Sequence, residues 1–204
     1  MTTRVVVRSA VADDAAAVAA VRRAACSYKV MSPAAARHLI TVQTPQERFL
    51  PLVAESAGEI VAWGSAGLNV WTSQPGQDHL TIYVHPDHRK QGIATALADR
   101  LHQHLTEVGA LRVRTFVHPD GFEFARSLGY DGTRQMHYSG VDPRSLPEQP
   151  QTPDRIELVP MGQVDPRQAY TSNDDENGPM LAINNWLGYQ RVQTELVLLR
   201  MLAG

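Results

Sequence analysis

The sequence holds a single cysteine, Cys26, in 204 residues, so no disulfide can form within the chain. The start, MTTRVVVRSA, has no apolar core followed by a small-residue cleavage site. Its longest apolar run, Ala15 to Val21, is mostly alanine and far short of the ~20 residues that a membrane helix needs. These absences lead us to expect a cytoplasmic protein with no membrane partner. An excess of basic charge is missing as well. Lys and Arg total 19 against 21 Asp and Glu, split as 14 against 12 up to Val141 and 5 against 9 after it, which offers no face for nucleic acid. Histidines lack metal-ligand spacing: His102 and His104 stand two apart in a helical stretch and cannot share a face, so no metal is expected. What is present, 43% hydrophobic residues with 20% charged, describes a folded chain rather than a disordered one.

At 204 residues the chain exceeds one ordinary domain of about 100 to 150 residues by part of another. Arg4 to Val7 reads as a strand, followed by Asp13-Asp14 in front of a helix ending near Ala25. Ser32-Pro33 opens a second helix through about Ile40. Phe49 to Glu55, Glu59 to Gly67 and His79 to Val84 read as strands, the first two joined by the turn Ser56-Ala57-Gly58. Gly92 to Val108 is the clearest helix, with Ile93, Leu97, Leu101, Leu105 and Val108 on one stripe and Gly109 as its stop. Leu111 to Val117 is a strand, Phe122 to Leu128 a short helix stopped by Gly129, and Gln135 to Gly140 a last strand. Asp142 to Arg155 holds four prolines and no periodicity, and reads as a linker.

The informative stretch runs from Thr81 to Thr95. A β-branched strand enters a Pro turn, and then a small-residue loop opens the amphipathic helix. The first N–H groups of a helix have no internal partners and its dipole favours negative charge there, so this is an anion site. Gly92 and Ala94 admit a phosphate to the backbone, and Arg89 and Lys90 add charge. The plainer alternative is a β–α turn whose glycine eases a corner. The three-glycine dinucleotide spacing and the Gly-Lys-Ser/Thr of a triphosphate loop are both absent.

Arg89-Lys90-Gln91-Gly92-Ile93-Ala94, approached by Val84-His85-Pro86, resembles the Arg/Gln-x-x-Gly-x-Gly/Ala signature of the GNAT acyltransferase superfamily. Phe124-Ala125-Arg126-Ser127-Leu128-Gly129-Tyr130 is similar to that family's closing helix, and the resemblance covers residues 4 to 140. It implies an α+β fold, layered α/β/α around a mixed, mostly antiparallel sheet that splays at the cofactor strand. It also implies acetyl-CoA as co-substrate. The pyrophosphate would rest on Arg89, Lys90, Gln91, Gly92, Ile93, Ala94 and Thr95, and the pantetheine along Ile82, Tyr83 and Val84. His118 stands where the family often has an asparagine touching the pantetheine.

Forming an amide from a thioester needs a neutral amine, and a lysine-like amine with pKa about 10.4 is ionised at pH 7. In many members of the family a general base stands eleven residues before the signature Arg, which is Asp78 here. Its other reading is a turn carboxylate bonded to its own backbone. The family's usual tyrosine acid falls on Ala125, a departure that keeps open a catalytically weak acyl-CoA-binding or scaffold protein beside an N-acetyltransferase acting on a primary amine of a small molecule or peptide. The acceptor pocket is expected from Ser27 to Gln46, which carries Lys29 and Arg37 and no acid, and from Trp71 to Gln77. Tyr130 reads as core and Cys26 as packing, while Tyr83 is divided between the thioester and the core.

The tail echoes the start of the chain. Arg155-Ile156-Glu157-Leu158 with Asp165 echoes Arg4-Val5-Val6-Val7 with Asp14 at an offset of 151, and Leu187-Gly188-Tyr189 echoes Leu128-Gly129-Tyr130 at 59. The order Asn177, Met180, Asn184, Leu187-Gly188-Tyr189 is also similar to the family's closing elements. The expectation is therefore a complete domain at 1–141, a linker at 142–155, and a truncated second unit at 156–204. That unit lacks 92 central residues, carries no second cofactor loop, and packs on the first domain or across a homodimer. Asp174, Asp175 and Glu176 read as helix-start charges.

Overall fold

The computed structural model describes residues 5–70, 77–140, 178–186 and 188–202. The predicted linker, the strand at 155–158, the acidic group at 174–176 and most of 71–77 lie outside them. Seven strands, β1 (Val5–Ser9), β2 (Leu50–Ser56), β3 (Glu59–Leu68), β4 (Gln77–Val84), β5 (Arg112–Val117), β6 (Asp131–Gly140) and β7 (Gln190–Met201), form one sheet in the order β1-β2-β3-β4-β5-β7-β6. Every pairing is antiparallel except that of β4 with β5. Helices α1 (Ala15–Ala25) and α2 (Pro33–Thr41) cover one face, and α3 (Ile93–Glu107) and α4 (Phe122–Ser127) the other. A fifth helix, α5 (Gly178–Trp186), precedes β7. Among the described residues no helix is long and apolar enough to cross a membrane.

Covering both faces dictates the strand sequences. Leu52, Val53 and Ala54 are consecutive and fully buried, because Leu52 and Ala54 point to α3 while Val53 points to α1 and α2. The α3 stripe of Ile93, Leu97, Leu101 and Leu105 meets Leu80, Val113 and Leu198, each such side chain stabilising the fold by about 1.5–3 kcal/mol on burial. On the opposite face Val18, Ala19 and Ile40 close over Val53 and Trp63. Local chemistry sets the helix ends. The Ser32 hydroxyl accepts from the Ala35 N–H at 3.1 Å, with Pro33 in the first turn. Asp14 accepts from the Val11 N–H at 2.8 Å and from both Arg8 terminal nitrogens at 2.7 and 2.9 Å, and the Arg8 hydrogen bonds hold its carboxyl below the usual range against the opposing effect of burial.

The tail joins the same sheet. Residues 190–201, expected in a truncated second unit that packs on the first domain or on another chain, run along β5 from Arg112↔Met201 to Val117↔Leu196 and along β6 from Asp131↔Leu199 to Gly140↔Gln190. A strand hydrogen-bonded on both edges is interior to a sheet, so this part of the tail docks within the chain. Without β7 both β5 and β6 would present open edges. The contact is close at Gly132, where a Cβ would lie 2.7 Å from the Val197 carbonyl oxygen and φ is 152°.

Candidate active site

β4 pairs with β3 from Leu68↔Asp78 to Ala62↔Val84, but with β5 only at Gln77↔Arg112, Asp78↔Val113 and His79↔Arg114. Beyond His79 the strands part. The backbone of β4 from Leu80 to Val84 then has no strand on its β5 side, and a cleft of about 760 Å³ opens through the sheet. Its two ends differ in construction.

On the α3 face the wall includes the turn from Arg89 into the start of α3. Lys90 and Gly92 both take left-handed conformations, φ 59° and 78°, which swing the chain into α3. Gly92 offers no capping side chain and no side chain caps this end, so the first amides of α3 face the cleft beside Arg89 and Lys90. A Cβ on Gly92 would meet nothing within 4 Å, which leaves room for a ligand against the backbone. Of the ten residues predicted for the cofactor, Ile82, Tyr83, Val84, Arg89, Lys90, Gly92, Ile93, Ala94 and Thr95 line the cleft. Gln91 does not; its side-chain amide turns back toward the Asp87 carbonyl at 3.5 Å. His118 lines the cleft too, its Nδ1 accepting from the Asp120 N–H at 3.2 Å. Ala125 is at the cleft wall with no hydroxyl to offer. Tyr130, expected as core, is buried but also reaches the cleft, with its hydroxyl 2.8 Å from His102 Nε2. Burial and then the nearby Arg200 guanidinium push the His102 imidazole down to about 4.

Asp78 is elsewhere. It sits at the opposite end of β4, only 2% exposed, beside the backbone of Asn69 and Leu111, and it is not among the cleft-lining residues. Burial raises its pKa, with the backbone near Asn69 and Leu111 partly offsetting that. The chain position that matches the family's base thus holds a sealed carboxylate, because even-numbered residues of β4 point into the α3 core and Asp78 lies beyond the point where the strands part.

On the α1 and α2 face the wall is side chains. Cys26 and Tyr28, from the segment joining α1 to α2, meet Tyr83 of β4, Phe116 of β5 and Glu195 of β7. Glu195 is 2% exposed. The Tyr28 hydroxyl donates to its Oε1 at 2.7 Å, while Lys29 Nζ at 2.6 Å and the Tyr138 hydroxyl at 2.9 Å donate to its Oε2. Burial first, then Cys26 and Glu195, raises the pKa of Tyr28, and burial first, then Glu195, raises that of Tyr138, so both remain protonated donors. Tyr83 is pushed up to about 12 by burial and lies under the Arg22 guanidinium at 5.3 Å. Sequence reasoning missed Glu195: nothing around it in Gln193-Thr194-Glu195-Leu196 marks it, and only the insertion of β7 beside β5 brings it opposite Lys29. The part of the expected acceptor wall at 71–76 lies outside the described residues.

Against this geometry the family comparison is decisive. The model of the acetyltransferase (GNAT) family matches residues 19–130, more than half of the sequence. The chain belongs to the GNAT acetyltransferase family. Solved structures agree on the fold. A GNAT superfamily phosphinothricin acetyltransferase from Sinorhizobium meliloti, in complex with acetyl-CoA, superposes with TM-score 0.61 at 17% identity, covering 100% of this chain and 90% of that one. A GNAT acetyltransferase from Streptococcus pneumoniae gives 0.61 at 11% identity, covering 98% and 100%. The PaiA N-acetyltransferase from Thermoplasma acidophilum, in complex with coenzyme A, gives 0.53 at 16% identity, covering 64% and 91%. No protein of curated function matches the sequence.

Proposed function

We propose that this GNAT protein is an acetyl-CoA-dependent N-acetyltransferase that passes the acetyl group to a primary amine of a small molecule or peptide by direct attack on the thioester. The observation that carries the reading is the cleft itself, with backbone amides and cations at one mouth and a carboxylate with tyrosines at the other. The amides of Ile93, Ala94 and Thr95, with Arg89 and Lys90, would hold the diphosphate, and the open side of β4 from Leu80 to Val84 would pair with the amide-bearing arm. The co-substrate supplies an activated acyl thioester. The chain's own part is then to hold the amine in line and exclude bulk water. Glu195 is the buried carboxylate among the described cleft residues; Asp120, the other acid in the wall, has a side chain 73% exposed near the α3 mouth.

The test is release of free CoA from acetyl-CoA in the presence of a panel of primary amines. Release above hydrolysis, with the acetylated amine found by mass spectrometry, is the expected result. Acetyl-CoA binding with no release for any amine would favour the acyl-CoA-binding or scaffold alternative, to which Ala125 points.

A further inference from the structure

The Lys29 ammonium is enclosed in an unusual way. Besides the 2.6 Å contact with Glu195, its Nζ lies 5.0 Å from the ring centroid of Tyr138, 5.6 Å from that of Phe116 and 6.0 Å from that of Tyr28. Three aromatic faces and a carboxylate are the arrangement by which proteins select ammonium ions. The side chains of Lys29 and Glu195 are only 14% and 3% exposed. Burying two charges carries a desolvation cost that their attraction repays only with good geometry and further hydrogen bonds, so an ion pair here is a weak device for stability alone. Its location is informative: Tyr28, Phe116 and Glu195 all line the through-sheet cleft at the mouth opposite Arg89 and Lys90.

The geometry points to a binding subsite: we infer that the box of Tyr28, Phe116, Tyr138 and Glu195 receives the ammonium of the acceptor, and that Lys29 fills it in the free protein. The acceptor class is then an unhindered alkylammonium, shaped like a lysine side chain. Lys29, carried on the segment between α1 and α2 and followed by the exposed Val30, leaves the box when the acceptor enters. This inference rests on the acetyltransferase reading, but its test separates the two.

A tethered ammonium competes at an effective concentration in the millimolar range, so removing it should raise affinity for a free one. The probe is n-butylammonium, titrated calorimetrically into the wild-type protein and into Lys29→Met, with CoA release from acetyl-CoA measured alongside for n-butylamine and the amine panel. Lys29→Gln, whose amide can still donate to Glu195, is the second variant should the methionine form fold poorly. We expect at least tenfold tighter n-butylammonium binding in either variant, a KM for n-butylamine at least tenfold lower, and loss of both gains when Glu195→Gln is added. Unchanged or weaker binding in two folded variants overturns the subsite, whatever the amine panel shows. Tighter binding that Glu195→Gln leaves intact also overturns it. Tighter binding with no CoA release for any amine retains the ammonium box and removes the transferase reading.

Discussion

The two mouths of one cleft are built by opposite means. At the α3 mouth a contiguous run, Arg89 to Thr95, does the work through backbone amides, and its side chains need only be small or cationic. At the other mouth side chains do it. Tyr28 and Glu195, 167 residues apart in sequence, meet at 2.7 Å because β7 threads between β5 and β6. The difference teaches where variation is tolerable. A backbone site accepts any sequence that preserves its turn, whereas a side-chain site changes its ligand with a single substitution.

The sharpest way to break the comparison is Gly92→Asp. It places a carboxylate at the helix N-terminus where a diphosphate would lie, and a Cβ on a residue at φ 78°. We expect acetyl-CoA affinity to fall by roughly a thousandfold, about 4 kcal/mol, while the Glu195 cluster stays intact. Calorimetry with acetyl-CoA checks this, and retained affinity would displace the cofactor from the α3 mouth. At the other mouth Glu195→Ala leaves Lys29 buried without its counter-charge, which should lower unfolding free energy by about 3 kcal/mol in urea melts. Acetyl-CoA affinity should change less than twofold, and a larger change would mean that the mouths are not separable.

A third substitution tests which carboxylate belongs to the site. Asp78→Asn should leave kcat and both KM values within twofold. It should also raise the midpoint of thermal unfolding at pH 7. The sign follows from its folded pKa, raised mainly by burial. Such a group contributes stability below its unfolded value, near 3.8, and loses that contribution as pH rises through the folded one, so the asparagine gains at pH 7 and not at pH 3. A large fall in kcat would return Asp78 to the chemistry. The smallest effect concerns the α3 side alone. His102 is held near 4 against an ordinary 6.5, so stability is lost as pH falls from about 6.5 toward 4. His102→Gln should flatten that limb of a pH series of melts.

Sequence made one mouth legible and hid the other for the same physical reason. Arg89 to Ala94 carries its function in adjacent residues, so a spacing pattern reveals it, and helix α3 follows from the period of Leu97, Leu101 and Leu105. The turn at Ala57-Gly58 was equally local, both residues having positive φ. The place of β7 between β5 and β6 was not legible, because strand pairing across that distance leaves no local trace. Glu195 was hidden with it. Asp78 shows the converse: its position fits a family pattern, while its side chain is buried where β4 and β5 still pair and is not among the cleft-lining residues.

The division of the cleft can be measured directly by hydrogen–deuterium exchange with CoA and with n-butylammonium in the Lys29→Met protein. The account predicts that CoA slows exchange at residues 90–95 and along the open side of β4, while the ammonium slows it at 26–32 and around Glu195, each leaving the other set unchanged. Protection of 26–32 by CoA with none at 90–95, or one shared footprint for both ligands, would contradict it.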